Sequence, residues 1–442
     1  MPLILLGVSI VLLLVLIVVF KWNPFLALVV ASFAVGLANG MPAQAALNSI
    51  LKGIGDTMGS IVLIIVAGAI LGKLIEESGA AHTVSFGLVR IFGEKHVQLS
   101  IVLTGFLVGL PMFYNAGFLI LTPLVYALSA SRGLPMLSLG IPLSAALSVT
   151  HGYLPPHPAP TSIAAMFKAD INQTLLYGLI LSIPAILMGG PLLARFFRRL
   201  NNQPPPHLYQ HRKFRPEELP GLRVSLFTIL IPVLLMLSGA VVTLSTSGSS
   251  SLVKTAKFLA DPNVALLLAV FAGFYSLGIR RGRDMESLMK SVVSATASVS
   301  MLLLIIGAGG GFKQILLDCG TADVVKTMAS KAYLSPILLA WGLAAVLRFS
   351  FGSATVAAIT AAGIVLPIVP GCGVRPELLV IALTTGSLMF SHFNDVGFWM
   401  FKEYYNASVK QTFQIWTVME TIVGTVGLLG VFLLHALIGG PR

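Results

Sequence analysis

The chain has 442 residues, of which 56% are hydrophobic and 10% charged, with a formal net charge of +12. A soluble globular domain of this size is excluded, because soluble folds need far more charged surface. Apolar runs of about 20 residues recur throughout, each long enough at about 1.5 Å per residue to cross about 30 Å of hydrocarbon. The chain is therefore expected to be an all-α polytopic membrane protein. Its basic residues gather in short loops, as membrane topology requires, so the positive charge does not call for nucleic acid as a partner. Cys319 and Cys372 are too few for a disulfide framework and lack metal-ligand spacing.

The first run, 1–20, lacks the basic start and cleavage site of a signal peptide and is followed at once by another span, so it reads as the first transmembrane helix. Further spans are predicted at 24–40, 58–75, 135–168, 173–196, 223–247, 262–280, 293–317, 376–400 and 411–437. Those at 135–168 and 376–400 are interrupted. Two more apolar stretches, 97–130 and 335–369, carry polar or glycine-rich centres at Leu110-Pro-Met-Phe-Tyr-Asn-Ala-Gly117 and Phe349-Ser-Phe-Gly-Ser-Ala-Thr355. Each is either two spans or one re-entrant hairpin. The polar loop Arg195–Arg223 divides the chain, and His207 and His211 in it read as surface residues. Ser245-Thr-Ser-Gly-Ser-Ser-Ser251 reads as an external linker.

One offset of 241 residues relates the halves: His151 to His392, Gly68 to Gly309, Pro135 to Pro376, and the centre of the first hairpin to that of the second. Glu77-Ser-Gly79 falls on Asp318-Cys-Gly320 at the same offset. This predicts a first membrane repeat over 1–196, a cytoplasmic linker over 197–222 and a second repeat over 223–442. Each repeat would hold about five spans, one re-entrant hairpin and one broken helix. An odd number of crossings inverts the second repeat. With both termini periplasmic, roughly 18 Lys and Arg fall inside and about eight outside, as the positive-inside rule asks. Inverted repeats meeting at the midplane are the build of secondary transporters.

The interruptions carry the chemistry. Pro155, Pro156, Pro158 and Pro160 in Ser148-Val-Thr-His-Gly-Tyr-Leu-Pro-Pro-His-Pro-Ala-Pro-Thr-Ser162 are expected to unwind the first broken helix. Backbone freed in this way is tolerable only inside protein or along a wet cavity. The corresponding break is Ser391-His-Phe-Asn-Asp-Val-Gly397. Two breaks and two hairpin tips are expected to converge on one polar binding pocket. Asp395 is an intramembrane carboxylate, which costs about 2.5–3.5 kcal/mol on insertion scales, so it is the candidate proton carrier. Its alternative is a structural role, capping unwound backbone or pairing with Arg348. His151, His157 and His392 are able to exchange protons, hydrogen-bond a substrate hydroxyl or satisfy broken-helix carbonyls. Arg348, in an apolar helix, needs an anion, either a substrate carboxylate or an internal Asp. Tyr114, Asn115 and Gly117 at one tip and Gly352, Ser353 and Thr355 at the other, with Asn394, complete the candidate substrate site. Close helix packing is the bland reading of the glycines.

The stretch Ser148-Val-Thr-His-Gly-Tyr-Leu-Pro-Pro-His-Pro-Ala-Pro160 resembles the motif of the gluconate permease family. So do Gly352-Ser-Ala-Thr-Val-Ala-Ala-Ile-Thr360, Phe390-Ser-His-Phe-Asn-Asp395, Gly397-Phe-Trp-Met-Phe-Lys-Glu403 and the opening Met1-Pro-Leu with Phe25-Leu-Ala-Leu28. The resemblance covers nearly the whole chain. It implies a symporter of the bacterial inner membrane that takes up gluconate or a related sugar acid with protons. It also implies a scaffold plus a mobile transport domain, and a homodimer, as in the ion transporter superfamily. No cofactor beyond the coupling proton is expected. One departure is Asn115, where many members carry Glu.

Other readings are a proton symporter for another small hydroxy or amino acid such as D-serine or glycerate, a channel, or an intramembrane metalloenzyme built on His151, His157, His392 and Asp395. An enzyme is not expected, since neither a Gly-x-Ser-x-Gly nor a His-Glu-x-x-His motif occurs.

Overall fold

A computed structural model describes residues 8, 11–12, 15–93, 96–200, 202–205, 218–245, 251–319, 335–366 and 369–439. Most of the predicted first span, His207, His211, Lys95, Gly320 and most of the serine-rich linker lie outside the described residues. Among those described the regular structure is helical throughout, and seven helices are long and apolar enough to cross a membrane. The chain is a multi-pass membrane protein.

Asn23 caps α1 (Pro24–Ala38), its side chain accepting from the Phe25 amide at 2.9 Å, with Pro24 in the first turn where no donor is needed. One long helix lies in each half, α2 (Ala43–Glu77) and, further on, α12 (Met285–Asp318), the latter capped by Asp284. At 35 residues α2 is about 52 Å long. The helices extend well before the predicted spans, which begin at 58 and 293. Their early turns carry polar residues that the hydropathy window rejects, yet the helix continues because those residues pair along one exposed face. Lys52 meets Asp56 at 3.1 Å, and Lys290 meets Glu286 at 2.8 Å. The two helices pack along each other, and a methyl group on Gly53 would collide with the Gly310 carbonyl. At one end Arg283 bridges them, donating to Glu77 at 3.0 Å and to Ser291 at 2.7 Å.

A helix not foreseen, α3 (Ala80–Phe92), leads to α4 (Val97–Gly109) and α5 (Tyr114–Arg132), which meet at a short non-helical turn. The first broken helix is α6 (Met136–Tyr153) and α7 (Pro158–Phe167). Only Pro155 and Pro156 lie in the unwound stretch 154–157. Contrary to expectation, Pro158 and Pro160 do not unwind anything; they open α7, in the first turn where a missing amide costs nothing. α8 (Ile171–Leu187) starts at Asp170, whose side chain accepts from the amides of Asn172 and Gln173, and runs on through a π turn.

The remaining elements are α9 (Leu222–Ser245), α10 (Ser251–Leu259), α11 (Pro262–Gly273) and, after α12, the second pair α13 (Pro336–Phe351) and α14 (Ala354–Val365). The second broken helix is α15 (Pro376–Gly386) and α16 (Val396–Tyr404). Its unwound stretch, 387–395, begins four residues earlier than the sequence indicates. α17 (Val409–Thr412) passes through a π turn into α18 (Val418–Ile438), forming one continuous span. α6, α7 and α15 are almost entirely buried, so the broken helices form the centre of the molecule and α18 and α8 wrap around them.

Candidate functional site

The geometry begins where α13 stops. Gly352 turns the chain with φ +69°, a conformation that L side chains rarely adopt, and any Cβ there would strike the Asn394 carbonyl. Ser353 then caps α14, accepting from the Val356 amide at 3.4 Å. The tip of this pair is thereby pressed against the second unwound stretch.

Asp395 ends that stretch as the cap of α16, its Oδ1 accepting from the Gly397 amide at 2.9 Å. Its Oδ2 accepts from both Arg348 Nη2 and the Ser391 hydroxyl. Arg348 Nη2 also donates to Ser391 Oγ at 2.8 Å, and the Trp416 indole donates to the same oxygen at 2.7 Å. Arg348 is 3% exposed and the Asp395 side chain 16%. The guanidinium is nevertheless only half used, because Nε and Nη1 are buried and have no partner. A buried donor left unmade costs more than a typical hydrogen bond gains. Nε–H and the two Nη1–H bonds are thus left as unpaired donors of a guanidinium, a side chain suited to holding a carboxylate.

A cavity of about 200 Å³ opens at this ion pair. It brings together eight residues foreseen from sequence: Tyr114, Asn115, His151, Arg348, Gly352, Ser353, Thr355 and Asp395. His151 and Asp395, from the two broken helices, thus share one chamber. First-turn residues of α5, α14 and α16 all line it, and each helix N-terminus brings partial positive charge toward an anion. A second cavity of about 380 Å³ lies between α2, α12 and the turn at Pro111–Phe113, and shares Asn115 and His151 with the first.

Four foreseen residues stand outside the cavity lining. A Cβ on Gly117 would lie 2.8 Å from Leu147, so this glycine serves helix packing. His157 is buried, and its Nε2 meets the Gly109 carbonyl at 2.8 Å, satisfying the open end of α4. His392 and Asn394 do the same for α13, meeting the Phe349 carbonyl at 3.1 and 2.9 Å. Each break therefore sends an imidazole to a helix end, the bland alternative named for the histidines. The sequence reading misses Ser148, Trp416 and Glu420, which also line the cavity. Glu420 was open to discovery by the rule applied to Asp395, a lone carboxyl inside an apolar span. Among the described residues no cluster of His, Cys, Asp or Glu is arranged to hold a metal.

Buried, broken helices that close on a polar chamber with a half-used guanidinium, within an all-helical membrane fold, are the build of a transporter. The chain belongs to the GntP family of permeases, whose family model matches residues 1–438. It is 46% identical to a high-affinity gluconate transporter of Escherichia coli, over 99% of this chain and all of that one. It is 44% identical to the Gnt-II system L-idonate transporter of the same organism, with the same coverage, and 42% identical to the gluconate permease of Bacillus subtilis, again over 99% of this chain and the whole relative. In fold it is similar to the Alcanivorax borkumensis YdaH transporter, with a TM-score of 0.69 at 15% identity, covering 95% of this chain and all of that one. Neisseria gonorrhoeae MtrF gives 0.66 at 16% identity, covering 90% and 86%.

Proposed function

We propose that this permease takes up gluconate or a closely related sugar acid together with protons across the bacterial inner membrane. The observation that carries this reading is a buried arginine, Arg348, with unpartnered Nε and Nη1, in the lining of a chamber ringed by three helix N-termini. A carboxylate docks on that guanidinium, and Asn115, Ser353, Thr355 and His151 hydrogen-bond the hydroxyls. As the substrate carboxylate competes for Arg348, Asp395 loses its counter-charge and takes the coupling proton, so the loaded chamber crosses without an unpaired anion. His151, at the boundary of both cavities, is a candidate station for that proton. His157, His392, Asn394 and Gly117 shape the site from behind. The relatives named for gluconate and L-idonate support a six-carbon aldonate over D-serine or glycerate.

The architecture belongs to the same proposal. Helix bounds related by the offset of 241, α2 with α12, α6 with α15 and α4 with α13, support two inverted repeats over 1–196 and 223–442 joined by a linker over 197–222. The termini would face the periplasm. The broken helices and tips would move as a transport domain against a scaffold that holds two copies together as a homodimer.

The test is uptake of labelled gluconate into proteoliposomes with and without an inward proton gradient. Gradient-driven accumulation is the expected result. Indifference to the gradient would remove the symport, and failure of excess gluconate to compete would remove the aldonate.

A further inference from the structure

The proposed mechanism uses one of the two carboxyls that face the chamber. Among the described residues lining it, Arg348 is the one guanidinium or ammonium, while Asp395 and Glu420 are both acids. The two acids live in opposite surroundings. Asp395 is saturated by a guanidinium, a hydroxyl and a backbone amide. Glu420 is 2% exposed and neither of its oxygens has a hydrogen-bond partner. The Ser148 hydroxyl lies close by without completing a bond. Around it stand Arg348 and His151, both lining the same chamber, and the Tyr153 hydroxyl, which is spent on the Val423 carbonyl at 2.6 Å.

A carboxylate ion there would be buried with neither donor nor close counter-ion, the costliest state for an acid in a protein interior. The neutral acid suits the place, and in a residue that lines the chamber it supplies one O–H donor together with acceptor oxygens. That is the complement of a polyol, each of whose hydroxyls both donates and accepts.

We infer that Glu420 is a substrate-binding residue that stays protonated throughout transport and hydrogen-bonds the hydroxyls of the sugar acid as a neutral carboxylic acid. This rests on the symport reading, and charge balance supports the combination. With the imidazoles neutral, the empty chamber holds the Arg348–Asp395 pair and an uncharged Glu420, with no net charge. A bound monoanion adds one negative charge, and one proton on Asp395 cancels it. Both states that cross the membrane are then neutral, and one proton accompanies each substrate. A Glu420 that gave up its proton on the empty return would leave a net negative charge buried in lipid.

The test compares the wild type with E420Q, E420A and D395N in proteoliposomes, reading gradient-driven gluconate accumulation, gluconate counterflow and half-saturating gluconate. An amide mimics the neutral acid, so E420Q keeps accumulation, with half-saturation within about threefold of wild type, whereas E420A raises it about tenfold or more with coupling intact. D395N, in contrast, loses dependence on the gradient. An infrared difference spectrum on adding gluconate should show a carboxylic-acid C=O band in the wild type that persists in D395N, where Asp395 cannot contribute, and that E420Q lacks, which tests the inference even if E420A fails to fold. The inference is overturned if E420Q loses accumulation but keeps counterflow, which would make Glu420 the proton carrier. It is equally overturned if the acid band is missing from the wild type, or if a folded E420A binds gluconate as the wild type does. A wild type indifferent to the gradient but showing the band would remove the symport and leave Glu420 as a ligand.

Discussion

The Asp395 carboxylate and the Arg348 guanidinium meet across the gap between the second unwound stretch and α13, and Ser391 ties both to Trp416. The pair neutralises itself, yet it leaves the Nε and Nη1 nitrogens of Arg348 without a hydrogen-bond partner. An ion pair that is complete electrically but incomplete in hydrogen bonds is one that, under the proposed mechanism, a substrate carboxylate would open.

Replacing Arg348 should separate charge from geometry. R348K keeps the cation but loses the fork, and half-saturating gluconate should rise by about tenfold or more in uptake assays. R348A leaves Asp395 buried without its partner, and breaking a buried pair from one side costs about 3–5 kcal/mol, so a lowered melting temperature should accompany loss of transport. Gluconate uptake by R348A at wild-type affinity would eliminate the carboxylate role.

D395N removes the charge and keeps the shape. Counterflow should persist while accumulation no longer follows the proton gradient, as measured with an imposed pH step across the vesicle.

His157 predicts a different kind of loss. It bonds a helix-end carbonyl and lies outside the chamber lining, so H157A should destabilise the protein by about 1–3 kcal/mol through an orphaned acceptor. Half-saturating gluconate should stay close to wild type in the fraction that folds. A large affinity change with no shift in thermal melting would move His157 into the binding site.

At Gly352 the prediction is structural and sharp. Alanine must accept φ +69° and also displace the Asn394 carbonyl, and strain of this kind costs about 1–3 kcal/mol before the collision is counted. G352A should lose transport together with thermal stability. G371A, at φ +84° with open space around the added methyl group, controls for backbone strain alone.

The class of the fold is plain in the sequence because hydrocarbon leaves the backbone so few options. The breaks are legible for the same reason, since prolines and polar residues inside an apolar run interrupt the one form in which a single segment can cross. Helix extent is less so. Lys52 and Asp56 look like a loop until their pairing on an exposed face of α2 is visible. At the site, residue type was legible but direction was not. His157 and His392 turn away toward helix ends, and sequence spacing has no means to tell a ring facing a chamber from one facing a carbonyl. Glu420 is hard to single out in the sequence because its helix runs unbroken, with no proline or polar interruption to mark it.

Asn115 and His151 belong to the walls of both cavities. An amide and an imidazole are therefore the side chains that the two cavities hold in common. Where Asn115 stands, a bulkier or charged side chain would press on both spaces at once, so exchanging that one residue should alter the speed of release together with the tightness of grip.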